Sequence, residues 1–76
     1  MANAIIRPLD LLNNSKNKEV SVSLKGGKQL IGTLLAFDIH VNLVLDSVKE
    51  MENGEIKRSL GLTFLRGDTI IFVNPL

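Results

Sequence analysis

Glu19-Val20-Ser21-Val22-Ser23-Leu24-Lys25-Gly26-Gly27-Lys28-Gln29-Leu30-Ile31-Gly32-Thr33-Leu34 is the stretch that decides the fold. Val20, Val22 and Leu24 alternate with Ser21, Ser23 and Lys25, the period of two that marks a half-buried strand. Gly26-Gly27 is a hairpin turn signal. A second strand follows from Lys28 to about Phe37, interrupted by Gly32. A glycine in mid-strand marks a bend or a bulge, and a small barrel needs both.

Toward the C-terminus the same grammar repeats. Asp38-Ile39-His40 breaks the pattern, and Val41 to Val48 reads as a third strand rich in β-branched residues and leucine. Met51 to Gly54 is a polar turn around Asn53-Gly54, a strong short hairpin signal. Glu50, Glu52 and Glu55 read as part of this solvated turn. Ile56 to Leu65 makes a fourth strand with Gly61 as a second bend. Arg66-Gly67-Asp68 is a tight turn, Thr69 to Val73 a fifth strand, and Pro75 a stop. Ile70-Ile71-Phe72-Val73 abandons alternation, so both faces of that strand should be covered. The cover is either a second copy of the chain or a central place in the sheet.

Toward the N-terminus, Ile5 to Ser15 reads as a short helix. Pro8 suits its first turn, Asp10 sits near the positive end of the helix dipole, and Leu9, Leu11 and Leu12 form its apolar stripe. Asn13, Asn14 and Ser15 end it. The expectation is one mostly-β domain spanning 1–76: a short helix over about 7–15, then a strongly bent, five-stranded open barrel over about 19–74.

A domain of 76 residues buries only about 60% of the surface its unfolded chain exposes, and is marginal alone. Disulfides and thiolate metal sites are excluded by a cysteine count of zero, and a structural zinc site by a single histidine. Hydrophobic residues make up 45% of the chain, so self-association is the expected remedy. The formal charge of +1 is too small for binding nucleic acid mainly by neutralising phosphates. Any such binding must come from a shaped pocket or from repetition of a small site. No run approaches the ~20 apolar residues of a membrane span, and Met1-Ala2-Asn3-Ala4 lacks the features of a secretory signal. A cytoplasmic protein with no membrane partner is expected.

An enzyme is not expected. His40 is the one side chain that titrates near neutrality unperturbed, no serine lies in a strand-to-helix elbow, and no glycine-rich loop precedes a helix. No cofactor and no metal are expected. Two loop segments stand out instead: Phe37-Asp38-Ile39-His40-Val41-Asn42 and Leu65-Arg66-Gly67-Asp68. His40 offers a flat ring, Asn42 an amide that donates and accepts, and Arg66 a flat cation. That set suits an unstacked RNA base, held between two planes and read along its edge. Asp68 would orient Arg66 or Asn42. Taken singly, each residue has a plainer role: a structural histidine, a turn asparagine, a surface ion pair worth little.

Together the two segments resemble the paired signature of the Sm and Sm-like family. Gly26 to Leu34, then Asp38-Ile39-His40-Val41-Asn42-Leu43-Val44-Leu45, is similar to its first part, and Leu65-Arg66-Gly67-Asp68-Thr69-Ile70 to its second. Arg7-Pro8-Leu9-Asp10-Leu11-Leu12 resembles the family's opening helix. The histidine in Asp-Ile-His-Val-Asn is most like archaeal members, while Val41 stands where methionine is common and Leu65 where isoleucine is. The resemblance implies an SH3-like Sm fold and a homo-oligomeric ring, most often of seven subunits, closed by pairing the fourth strand of one subunit with the fifth of the next. It implies binding of single-stranded uridine-rich RNA in RNA processing, with other RNA-processing proteins as further partners. It assigns His40 and Arg66 to a uracil sandwich, Asn42 to the base edge, Asp68 to the pocket's geometry, Asp38 to support of the loop, and Gly67 to the turn that brings Arg66 alongside His40. Phe37 reads as a core residue, with a second RNA contact as its alternative.

Two rivals stay open. One is a structural or adaptor ring whose partner is protein; RNA selectivity separates it. The other is a monomeric peptide-binding barrel, though the chain has no Trp or Tyr to line an aromatic groove.

Overall fold

The computed structural model describes residues 8–76. Residues 1–7 lie outside the described residues, and with them the expected helix start at Ile5 and the Arg7 of the family-like opening. Helix α1 runs Pro8–Asn14. Of its leucines, Leu12 is buried in the core while Leu9 and Leu11 stay exposed. The chain leaves the helix when the Ser15 hydroxyl donates back to the Leu11 carbonyl (3.0 Å). Asn17 then adopts a left-handed conformation (φ 63°), common for a short polar side chain.

Five strands follow: β1 (Glu19–Leu24), β2 (Gln29–Phe37), β3 (Leu43–Glu52), β4 (Glu55–Leu65) and β5 (Ile70–Pro75). They form one sheet in the order β4-β3-β2-β1-β5, with every neighbouring pair antiparallel. Gly26 and Gly27 both take positive φ at the β1–β2 hairpin, the freedom glycine supplies at no steric cost. The sheet wraps around Val20, Val22, Leu34, Leu43, Leu45 and Val48, all with no exposed surface. Full burial of one such side chain contributes roughly 1.5–3 kcal/mol, so these six dominate the stability of the chain. Phe37, Val41, Ile70 and Val73 pack against this core.

The bends expected at Gly32 and Gly61 have different causes. At Gly32 an added Cβ would lie 2.8 Å from Val48 Cγ2 and 3.1 Å from the Asp46 carbonyl oxygen. The β2–β3 register shifts at that point, between Ile31 and Thr33, so the glycine lets the strands approach where the sheet folds over. Gly61 takes φ +73° opposite Val48, among the register shifts of β3 and β4.

Three expectations need correction. First, β3 does not end at Val48 but continues to Glu52. Bulges between Leu45 and Val48 turn the strand's inward face onto Glu50, which is 4% exposed and not part of a solvated turn. Its carboxylate takes the Arg58 guanidinium across the β3–β4 pair at 2.7 Å, and that hydrogen bond holds its pKa below the ordinary value. Second, Ser21 is buried despite its place in the polar register, and its hydroxyl accepts from Gln29 Nε2 (2.8 Å). Third, β5 is no central strand: it pairs only with β1. Pro75 belongs to that strand, as an edge position permits.

Both outer strands therefore present one unpaired edge within the chain, and both expose large apolar side chains. On β4 these are Leu62 (69% exposed) and Phe64 (62%), and on β5 Ile71 (59%) and Phe72 (55%). An apolar edge of this kind is a template for pairing with another chain. No helix among the described residues is long and apolar enough to cross a membrane.

Candidate nucleic-acid interface

The two loop segments meet, and Asn42 is the join. The β2–β3 connection closes on itself first: Asp38 N–H donates to the Asn42 carbonyl (3.3 Å) and Val41 N–H to the Asp38 carbonyl (3.0 Å). The Asp38 carboxylate organises the interior of the loop. Its Oδ1 accepts from the backbone N–H of His40 (2.8 Å) and of Asn42 (3.1 Å). Its Oδ2 accepts from Asn42 Nδ2 at 3.0 Å. An aspartate bonding its own backbone two residues on is the usual way such a side chain shapes a turn. These hydrogen bonds, with the Asn42 side chain foremost, hold the Asp38 carboxyl below its ordinary pKa.

The other half of the Asn42 amide reaches the second segment. Gly67 N–H donates to Asn42 Oδ1 at 2.7 Å. Carboxylate oxygens only accept and a backbone N–H only donates, so the two contacts together fix which end of the amide is oxygen. Gly67 opens a short 3-10 turn, Gly67–Thr69. Here the expected reason for glycine was incomplete. A Cβ at Gly67 would overlap the His40 carbonyl oxygen and stand 3.0 Å from the Val41 carbonyl group. The residue is small because one backbone must touch another.

Arg66 is 73% exposed and its guanidinium pairs with Asp68, 61% exposed, at 2.9 Å. Of the two partners expected for Asp68, the structure thus gives Arg66, while Asn42 is held by Asp38 instead. His40 also lies exposed. The site consequently offers a free ring, a free guanidinium and one amide with a donor and an acceptor still unused, since Asn42 Nδ2 has a second hydrogen and Oδ1 a second lone pair. Among the described residues no group of His, Asp and Glu could hold a metal ion, and every buried side-chain polar atom has a hydrogen-bond partner.

Sequence reasoning passed over Val41. It adopts φ 62°, a true outlier for a β-branched residue and one that costs of order 1–3 kcal/mol. The hydrogen bonds on either side of it, from Val41 itself and from His40 and Asn42 to Asp38, hold it there. Its residue type carried no signal of this. The Asp38 to Asn42 spacing did, because both flank it.

Comparison with known proteins places this arrangement. The LSM domain family matches residues 10–75. An Sm-like relative from Archaeoglobus fulgidus is 52% identical over 69 residues, covering 91% of this chain and 90% of the relative. Among solved structures, the Sm protein of Pyrococcus abyssii in complex with a uridine heptamer superposes with a TM-score of 0.90 at 37% identity. That match covers 93% of this chain and 100% of the other. A heptameric archaeal Sm protein superposes with a TM-score of 0.82 at 33% identity, covering 87% of this chain and 96% of the other. With a bent five-stranded sheet, two loops joined through an asparagine, and a family match running through both loops, this chain is a member of the LSM domain family, the Sm and Sm-like proteins.

Proposed function

We propose that the chain assembles into a homo-oligomeric ring, of seven subunits, that binds single-stranded uridine-rich RNA and serves cytoplasmic RNA processing rather than catalysis. The observation that carries the reading is the Asn42 amide, tied to Asp38 on one side and to Gly67 on the other, with exposed His40 and Arg66 on the two loops it joins. In this reading His40 and Arg66 stack on the two faces of a uracil, Asn42 reads its edge, Asp68 steadies Arg66, and Asp38 and Gly67 hold the loops in place. Stacking on flat side chains is worth about 1–3 kcal/mol per base, which is weak for one copy. Repetition around a ring converts weak sites into useful affinity without high net charge.

Two further facts support the ring. The unpaired edges of β4 and β5 lie at opposite ends of the sheet order and both expose apolar side chains. An apolar cleft of about 350 Å3, lined in part by Leu11, Leu12, Ile71 and Phe72, also borders the site at His40 and Gly67. The relatives agree, one being heptameric and another bound to a uridine heptamer.

The test is a fluorescence-anisotropy titration with short uridine and cytidine oligomers at one fixed salt concentration. Tighter binding of uridine supports a base-reading pocket. Equal or absent binding removes that reading and leaves a ring whose partners are proteins.

A further inference from the structure

We propose that Asp38, acting through Asn42, decides which pyrimidine the site accepts. This rests on the uracil-binding reading above and concerns how the choice of base is made.

The choice is a matter of sense. Along its Watson–Crick edge uracil presents the O4 acceptor beside the N3–H donor. Cytosine presents the N4–H2 donor beside the N3 acceptor, the reverse order. A primary amide can complement either, but a given orientation complements one of them in a given stacked pose. Asparagine 42 is not free to choose. Turning its amide over would set the carbonyl oxygen against the Asp38 carboxylate and the NH2 group against Gly67 N–H, two repulsive contacts in place of two hydrogen bonds at 3.0 and 2.7 Å. Gly67 supplies one half of this latch with its backbone. Asp38 supplies the other with a side chain, and it is the half that substitution can reverse. Asp38 contacts no base in this scheme, so it is a positioning residue.

The geometry also says what Asp38→Asn does. One oxygen of Asp38 takes both backbone N–H groups, of His40 and Asn42, and the other takes the Asn42 side chain alone. An amide at position 38 keeps its oxygen on the two backbone donors, so the loop keeps its shape. Its NH2 group then faces the NH2 group of Asn42. Asn42 must give up one end of its latch whichever way it turns, and the sense of the edge is no longer set.

The experiment measures the ratio of uridine to cytidine affinity, with short oligomers of each, for four assembled proteins: the unaltered chain, Asp38→Asn, Asp68→Asn and the charge-neutral exchange Asp38→Asn with Asn42→Asp. A bidentate base contact discriminates by roughly fivefold to a hundredfold, so Asp38→Asn is expected to lose most of a ratio of that size. Asp68→Asn, which breaks a contact to Arg66 alone, should weaken both affinities and keep the ratio. In the exchange every hydrogen bond of the latch is restored with donor and acceptor swapped. Its carboxylate at position 42 can only accept, and the preference should pass toward cytidine, whose N4–H2 donates. If the unaltered chain shows no preference for uridine, the uracil reading fails and this inference with it. If the unaltered chain prefers uridine and Asp38→Asn keeps the same ratio, the inference alone is overturned. A ratio lowered equally by Asp38→Asn and Asp68→Asn overturns it as well, because general loosening would then be the cause. Should Asp38→Asn fail to fold, the exchange decides: a retained uridine preference, or a failure to assemble, sinks the latch.

Discussion

The loops around Asn42 and the outer edges of the sheet are opposite solutions to the same small size. At the loops, nearly every polar group is matched within the chain: Asp38 takes three hydrogen bonds, Asn42 is held at both ends, and Arg66 has Asp68. At the edges of β4 and β5 the backbone has no partner on one side, and Leu62, Phe64, Ile71 and Phe72 stand in solvent. The site is finished inside one copy, whereas the edges are finished only by another. Damage at the two places should therefore differ in kind, with loss of assembly at one and loss of recognition at the other.

The strongest way to break that contrast is Phe72→Asp on β5. It replaces an apolar side chain whose burial would be worth roughly 1.5–3 kcal/mol in every junction, with a charge that must be desolvated. Mass measurement in solution should show protomers of 8.3 kDa with a folded far-ultraviolet spectrum. Intact rings in this variant and in Ile71→Asp would remove the edge assignment. Next comes Gly67→Ala. A methyl group there overlaps the His40 carbonyl, backbone against backbone, so the loops must part. A stability loss of about 1–3 kcal/mol is expected for such overpacking, together with collapse of oligo-uridine affinity in a protein that still assembles. Retained affinity would mean that the loops need not touch.

Milder tests sharpen the comparison. Asn42→Ala and Arg66→Ala should each weaken oligo-uridine binding by roughly tenfold to a hundredfold, the scale of one stacked base, with ring mass unchanged. Unchanged affinity in both would take the site away from these residues. The smallest effect is that of acid. Because the Asp38 carboxyl is held below its ordinary 3.8, its contribution to the folded loop is complete above that value. It disappears only as the pH falls through the lowered folded value. The side-chain signals of Asn42 should thus stay constant from neutrality down to the ordinary carboxylate range and move below it. Movement above pH 5 would mean that Asp38 does not hold the loop.

The strands were readable in the chain because period two and paired glycines survive any register. Val20, Val22 and Leu34 fell inside as their alternation requires, and Gly26-Gly27 turned where expected. Glu50 was not readable, because bulges in β3 shift which residues face inward and leave no local mark. The site residues could be picked out by type, yet their bonding could not. Nothing in Arg66-Gly67-Asp68 states that Gly67 touches His40, or that Asn42 belongs to Asp38 and not to Asp68. Contacts between segments 25 positions apart are a product of the whole sheet.

The positions of the two open edges constrain how this chain can assemble. The β4 edge and the β5 edge are different surfaces at opposite ends of one sheet, so their pairing is head-to-tail and cannot be satisfied by a two-fold dimer. An arc of any length carries the same two raw ends as a single subunit. Each addition creates one junction, and only the last, which closes the circle, creates two. Growth is therefore uphill or level until closure and strongly favoured at it. At equilibrium the population should divide between protomers and finished circles, with arcs scarce at every concentration.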